Sequence, residues 1–236
     1  MKTHRLFIDQ KIEENQEITL TNPQVIHQVR DVLRLKKGDS LILLDGSNKE
    51  FLAKVKIIMK SKLVFEVDVA GRRGRSTWQV DRPSVKLFIS MIKKDKIEWV
   101  LQKCTEIGVD EFHPIISERT EKAKINVERA EKIIKEASEQ SERTTLAKLF
   151  EIETLENVLQ GCETPIYVLH MSGELVDLSQ LKSKKEISIL VGPEGGWGEK
   201  DLKLFEKYNV KIISLGDQVL RAETASVAVS SLVLLG

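Results

Sequence analysis

The feature that most restricts the fold is a change of hydrophobic period near residue 83. Beyond it, continuous apolar runs alternate with stretches of helical period. "SVKLFISMI" is followed by "KKDKIEWVLQKCTEIG"; later come "PIYVLH", "EISILVG" and "VKIISLG", with "EKDLKLFEKYN" between the last two. Short runs that are apolar throughout suit strands covered on both faces, and strands alternating with helices build an α/β domain with a mainly parallel sheet. In the first helical stretch Ile97, Val100, Leu101, Cys104 and Ile107 share one face. Asp95 is expected to cap it, with Glu98 three residues on, and Gly108 to stop it. "VDEFHPIIS" reads as a further strand, and residues 121–143 as a long charged helix with Ala130, Ile133, Ile134 and Ala137 inward. "TASVAVSSLVLLG" reads as a closing helix of small and apolar residues.

Before the change the chain reads differently. "RLFID", "SLILLDGSNKEFLAKVKIIM" and "KLVFEVDV" are strand-like, with Asp45-Gly46 as a hairpin signal. "NPQVIHQVRDVLRLKKGD" reads as one short helix that Gly38-Asp39 ends. Mostly strand with one helix predicts a small β-barrel over 1–72. "GRRGRSTWQVDRP" reads as a linker, set at 73–82, which leaves 83–236 as the α/β domain.

The net charge of +1 gives no global attraction to nucleic acid, so contact with a polyanion has to come from local patches. Cys104 and Cys162 form no disulfide framework, and the four histidines offer no pair four residues apart, so neither a metal site nor an oxidising compartment is expected. The charged opening "MKTHRLFIDQ" resembles no secretory signal, and no apolar run reaches membrane-spanning length. A reducing cytoplasm is the expectation.

In parallel α/β sheets ligands gather at the carboxyl ends of strands. Here those ends carry "LHMSGE", "GPEGGWG" and "LGDQVLRAETA". Known phosphate loops do not fit: Gly198 is followed by Glu199 and Lys200, and no window supplies the dinucleotide fingerprint. Gly192, Gly195 and Gly196 fit two readings, plain turn residues or a surface where backbone meets a ligand closely. Arg221, Glu223 and Thr224 stand at a helix start, where Glu223 or Thr224 could simply cap it.

Taken together, the motifs are more specific. "HRLF" at 4–7, "HQVRDVLRLKKGD" at 27–39, "KKDKIEWVLQKCTEIGVDEFHPIISERT" at 93–120, "EASEQSERT" at 136–144, "LVGPEGGWGEKDL" at 190–202 and "LGDQVLRAETA" at 215–225 run nearly end to end. With them the chain resembles the RsmE family of 16S ribosomal RNA uridine-N3 methyltransferases in the SPOUT superfamily. It departs at Gln218, where the family often has arginine, and at Trp197-Gly198, where it often has Phe-Ser or Phe-Thr.

The resemblance implies a PUA-like RNA-binding barrel followed by a methyltransferase domain with a C-terminal trefoil knot. It implies S-adenosylmethionine as cofactor, a homodimer, and action on one uridine of 16S ribosomal RNA in the small ribosomal subunit. Leu169, His170, Gly192, Pro193, Glu194, Gly195, Gly196, Leu215, Gly216, Leu220 and Ala222 are the implied cofactor contacts. Arg221, to hold the base or backbone, and Glu223, as proton acceptor or polar clamp, are the catalytic candidates; a purely structural network between them fits the pattern equally. Arg5, Arg30, Arg34, Lys36, Lys37 and Arg143 are the candidates for RNA, with Arg72, Arg73 and Arg75 in the linker as further ones.

Overall fold

The computed structural model describes residues 3–13, 15–68, 82–121 and 124–236. Arg72 and the linker expected at 73–82, with Arg73 and Arg75, lie outside the described residues except for Arg82. The chain forms two compact units. One holds the described residues before 81 together with Ser138–Leu146; the other holds the rest.

The first unit contains β1 (Arg5–Phe7), β2 (Glu17–Leu20), α1 (Pro23–His27), β3 (Ser40–Leu44), β4 (Phe51–Ile58) and β5 (Leu63–Val67). The barrel expected here takes the form of a mixed five-stranded sheet ordered β1-β3-β4-β5-β2, with β1 parallel to β3 and the other pairs antiparallel. Alternation along β4 turns Phe51, Ala53 and Val55 inward, onto Leu6, Val29, Leu41, Leu43 and Phe65. The side chain of Asn22 caps α1 by accepting from Gln24 N at 2.9 Å, and Pro23 fits the first turn, where no N–H is needed.

The single helix expected up to Gly38 is shorter and changes its winding. Gln28–Val32 are a π-helical turn, and Arg34, at φ 53°, leaves the helix before the glycine is reached. The Leu33 N–H reaches the Gln28 carbonyl at 2.8 Å, five residues back. Val29 is thereby fully buried, whereas Val32 stays 63% exposed.

"EASEQSERT" divides between the units. Glu139 accepts from Phe7 N at 3.0 Å and from Gln28 Nε2 at 2.8 Å, and Thr144 bonds the Asn48 side chain. These contacts set Ser138–Leu146 with the first unit, although the linear reading places them inside 83–236.

The second unit contains β6 (Ser84–Ser90), α2 (Lys94–Ile107), β7 (Glu111–Ile116), most of α3 (Val127–Gln140), β8 (Lys148–Leu149), β9 (Glu153–Thr154), α4 (Leu155–Gly161), β10 (Ile166–Leu175), α5 (Leu178–Lys182), β11 (Glu186–Val191), α6 (Glu199–Lys207), β12 (Lys211–Ser214) and α7 (Ala222–Leu234). Its strands run in the order β12-β10-β11-β6-β7-β8, with β9 also on β7, and every pair is parallel. Alternate residues of β6 serve opposite faces. Leu87 and Ile89 pack with Val100, Leu101 and Val229 of α2 and α7; Phe88 packs with Leu155, Val158 and Phe205 of α4 and α6. This two-sided burial is why the strands read as continuous apolar runs.

The helix ends differ in detail from the sequence reading. Lys93, not Asp95, is the N-cap of α2, without a side-chain bond, while Gly108 ends that helix at φ 119° as expected. α3 begins at Val127 and is shorter than the 121–143 pattern. Cys104 is fully buried, and burial pushes its thiol up to about 12.

Candidate active site

A break within β10 and the loops after β11 and β12 together wall a cavity of about 330 Å3; "LHMSGE", read from the sequence as a loop after the strand, lies inside β10, which resumes pairing at Glu174. β10 supplies its wall by an interruption. Leu169 pairs with Ile213 of β12, and so does Glu174, so the intervening His170–Gly173 loops out of the ladder. His170 Nδ1 lies 2.7 Å from Ser172 Oγ within that loop. β11 supplies Val191 to Trp197, and β12 supplies Ile213 to Gly216; Gln218, Val219, Leu220, Ala222 and Ala225 complete the lining.

All of the residues named above for cofactor contact, from Leu169 to Ala222, line this cavity. Its walls mix apolar side chains with turning backbone, the composition of small-molecule sites. Three of its glycines have local reasons to be glycine, Gly216 by its φ of +127°. A Cβ on Gly192 would lie 3.0 Å from the Trp197 ring, and Gly196 has φ +68°. Gly195 has neither reason: its φ is not positive, and a Cβ there would make only ordinary contact with Arg119.

The β11 loop is braced by Ser117–Thr120, a segment to which the linear pattern assigned no role. Ser117 Oγ lies 3.0 Å from Ser90 Oγ and 3.1 Å from Thr120 Oγ1. Buried Asp201 accepts from Gly198 N at 2.9 Å and from Glu118 N at 3.0 Å. The Glu118 carboxylate in turn accepts from Lys200 N at 2.8 Å, and Arg119 Nη1 donates to the Gly195 carbonyl at 2.8 Å. Trp197 Nε1 donates to the Leu169 carbonyl at 2.9 Å, and the Glu194 side chain accepts from Lys93 N at 3.3 Å. Only chain folding brings residues 117–120 against 195–201; in sequence they end the 93–120 motif without any sign of this contact.

The catalytic candidates lie beside the cavity, not on its lining. Arg221 is exposed and forms the N-cap of α7. Glu223 is 7% exposed in the first turn of α7, with Oε1 3.2 Å from Lys96 Nζ. No hydrogen bond or ion pair joins the Arg221 and Glu223 side chains among the described residues.

The RNA candidates separate by their partners. Arg5 is 8% exposed and is held by Glu50 at 3.3 Å and Glu142 at 3.0 Å, which occupies its charge inside the first unit. Arg30 forms a two-bond pair with Asp31, each bond 2.7 Å, and this holds the Asp31 carboxyl well below the usual range. Arg34, Lys36 and Lys37 are exposed, and the two lysines line a surface groove with Lys56. Arg143 is half-buried and donates to the Thr145 carbonyl at 3.3 Å. Among the described residues no cluster of three His, Cys, Asp or Glu is placed to hold a metal, and no helix is long and apolar enough to cross a membrane.

A parallel α/β unit with a cavity at its strand ends, joined to a mixed β unit, is the architecture of a ligand-binding α/β domain with an appended β domain. The chain matches the RNA methyltransferase domain family over residues 80–234 and the RNA methyltransferase PUA domain family over residues 20–68. It is 34% identical to the ribosomal RNA small subunit methyltransferase E of Rickettsia conorii, over 100% of this chain and 97% of that one. A methyltransferase from Legionella pneumophila in complex with its cofactor S-adenosylmethionine superposes with a TM-score of 0.88 and 25% identity, over 99% of this chain and 97% of that one. The small subunit methyltransferase E of Neisseria gonorrhoeae, bound to S-adenosylmethionine, shares the fold with a TM-score of 0.86 and 24% identity, over 98% and 96% of the two chains. The chain belongs to the ribosomal RNA small subunit methyltransferase E family.

Proposed function

We propose that this protein transfers a methyl group from S-adenosylmethionine to N3 of one uridine of 16S ribosomal RNA, within the small ribosomal subunit. The observation that carries the reading is the cavity at the break in β10 and the ends of β11 and β12, lined by every residue that the family resemblance implies for the cofactor. The residues fit the cofactor chemically. Leu169, Val191, Leu215 and Leu220 offer apolar contact for an adenosine, and the glycine-rich turn at 195–196 offers backbone without Cβ atoms.

S-adenosylmethionine, when bound, supplies a methyl group already activated on a sulfonium. The protein has to place the uracil nitrogen in line with it and take the N3 proton. Because N3 lies on the Watson–Crick edge, the target has to be unpaired or turned out of its pairing. Arg221, exposed at the head of α7 beside the cavity residue Ala222, serves to hold the RNA. Glu223 is the candidate proton acceptor, with Lys96 fixing its carboxylate. The Lys36–Lys37 groove and Arg34 serve the phosphate backbone. The same reading places the work in the cytoplasm, by a homodimer with a knotted C-terminal region.

The test is transfer of labelled methyl to small subunits that lack the modification, followed by digestion to nucleosides. Label in 3-methyluridine supports the proposal, and label in another nucleoside moves the substrate. No label, with no cofactor binding by calorimetry, would leave an RNA-binding protein without this activity. Full turnover of Glu223→Gln at every pH would remove Glu223 from the proton step.

A further inference from the structure

The segment Ser117–Thr120 is built as a rigid arm whose apex carries an outward-facing cation. Its base is tied by the hydroxyl chain Ser90–Ser117–Thr120 and by the Ser117 N–H bond to Thr120 Oγ1 at 2.9 Å. Its middle is tied to the start of α6 through Glu118 and buried Asp201. Between these anchors Arg119 is exposed. Among the described residues its guanidinium bonds the Gly195 carbonyl, and no carboxylate pairs with it. Gly195 lines the cavity, so this bond ties Arg119 to a residue of the cavity wall, and the guanidinium has further N–H groups to donate. A surface arginine that served only solubility would not need an arm fixed at both ends.

We propose that Arg119 is a substrate-contacting residue that stabilises the negative charge developing on the uracil during methyl transfer. The inference rests on the uridine-N3 reading above. When N3 loses its proton to the acceptor carboxylate, charge spreads over the ring nitrogen and its two carbonyl oxygens. The N3–carbon bond then forms as the carbon–sulfur bond breaks, leaving neutral methylated uracil and a thioether. A fixed guanidinium next to the cavity favours the anion before transfer, and its planar donors suit a carbonyl oxygen better than a lysine ammonium does. The bond to the Gly195 carbonyl uses one N–H and orients the rest at no cost during reaction.

The experiment compares wild type, Arg119→Lys and Arg119→Ala on small ribosomal subunits lacking the modification, with cofactor affinity measured separately by calorimetry. The expected result is a loss of about 100-fold in kcat for Arg119→Ala, as for one oxyanion-type donor, with partial recovery in Arg119→Lys. Cofactor affinity should stay within about threefold of wild type, and the rise of kcat with pH should move to higher pH in both variants. A merely structural Arg119 would lower cofactor affinity together with kcat and leave the pH profile in place; either finding overturns the inference. If wild type itself forms no 3-methyluridine, the uridine-N3 reading fails and takes this inference with it. If wild type is active and both variants match it, the inference alone fails.

Discussion

The indole Nε1 of Trp197 donates to the backbone carbonyl of Leu169 at 2.9 Å, and this bond ties the loop after β11 to the break in β10. The ring also packs edge-on against Phe205 with centroids 5.0 Å apart, so one side chain links two cavity loops to the core under α6. Trp197→Phe keeps most of the packing and removes the bond. We expect a loss of roughly 1 kcal/mol in urea unfolding, together with weaker cofactor binding by calorimetry.

The glycines of this loop are separable by experiment. Gly192→Ala forces a methyl to 3.0 Å from the Trp197 ring and should cost about 1–3 kcal/mol of stability. Gly195→Ala meets only ordinary contact, so the unfolding midpoint should change little. Because Gly195 lines the cavity, the same variant should bind S-adenosylmethionine at least about tenfold more weakly. Unchanged cofactor affinity in Gly195→Ala would count against this wall as the cofactor surface.

His113 gives the second unit a pH dependence. Its ring is stacked between Phe88 and Phe150 at 4.3 and 4.1 Å, with Nε2 3.1 Å from Glu111. Burial holds its pKa below the ordinary value and outweighs the opposing bond to Glu111. The folded state therefore favours neutral imidazole, and the unfolded chain binds more protons as pH falls. This contribution is complete above the ordinary histidine pKa of about 6.5 and is lost as pH falls through the lower folded value. Denaturant unfolding should show wild type losing more stability between pH 7 and 5 than His113→Gln does. Equal losses would refute the assignment.

The basic residues of the first unit should divide in RNA binding. Lys36→Gln with Lys37→Gln should weaken binding at all sequences and reduce the slope of log K against log salt by roughly 0.7–0.9 for each phosphate no longer neutralised. Arg5→Gln should instead lower the unfolding midpoint, because it leaves Glu50 and Glu142 without their shared cation. Filter binding across a salt series and thermal melts together separate the two effects.

Much of this protein was legible in one dimension. The strands of the second unit announce themselves because a sheet covered on both faces needs consecutive apolar residues, and Leu87, Phe88 and Ile89 satisfy both clusters at once. Gly108 could be named as a helix stop because its left-handed backbone is a local property, and the cavity loops after β11 and β12 could be named because strand ends collect ligands, whereas the third wall is a break inside β10 that no strand end marks. Two-residue strands such as β8 are too short to carry a period, and the π-helical turn at Gln28–Val32 differs from an α-helix by one residue of winding that no spacing rule marks. What only tertiary structure decided was partnership. Arg5 and Lys36 are both basic in sequence, yet one is held by carboxylates 45 and 137 residues away and the other is exposed. Arg119 reaches Gly195 across 76 residues. The sequence determines which charges exist and which strands are buried; the fold decides which charges meet, because a salt bridge or a cavity wall depends on distance in space and not along the chain.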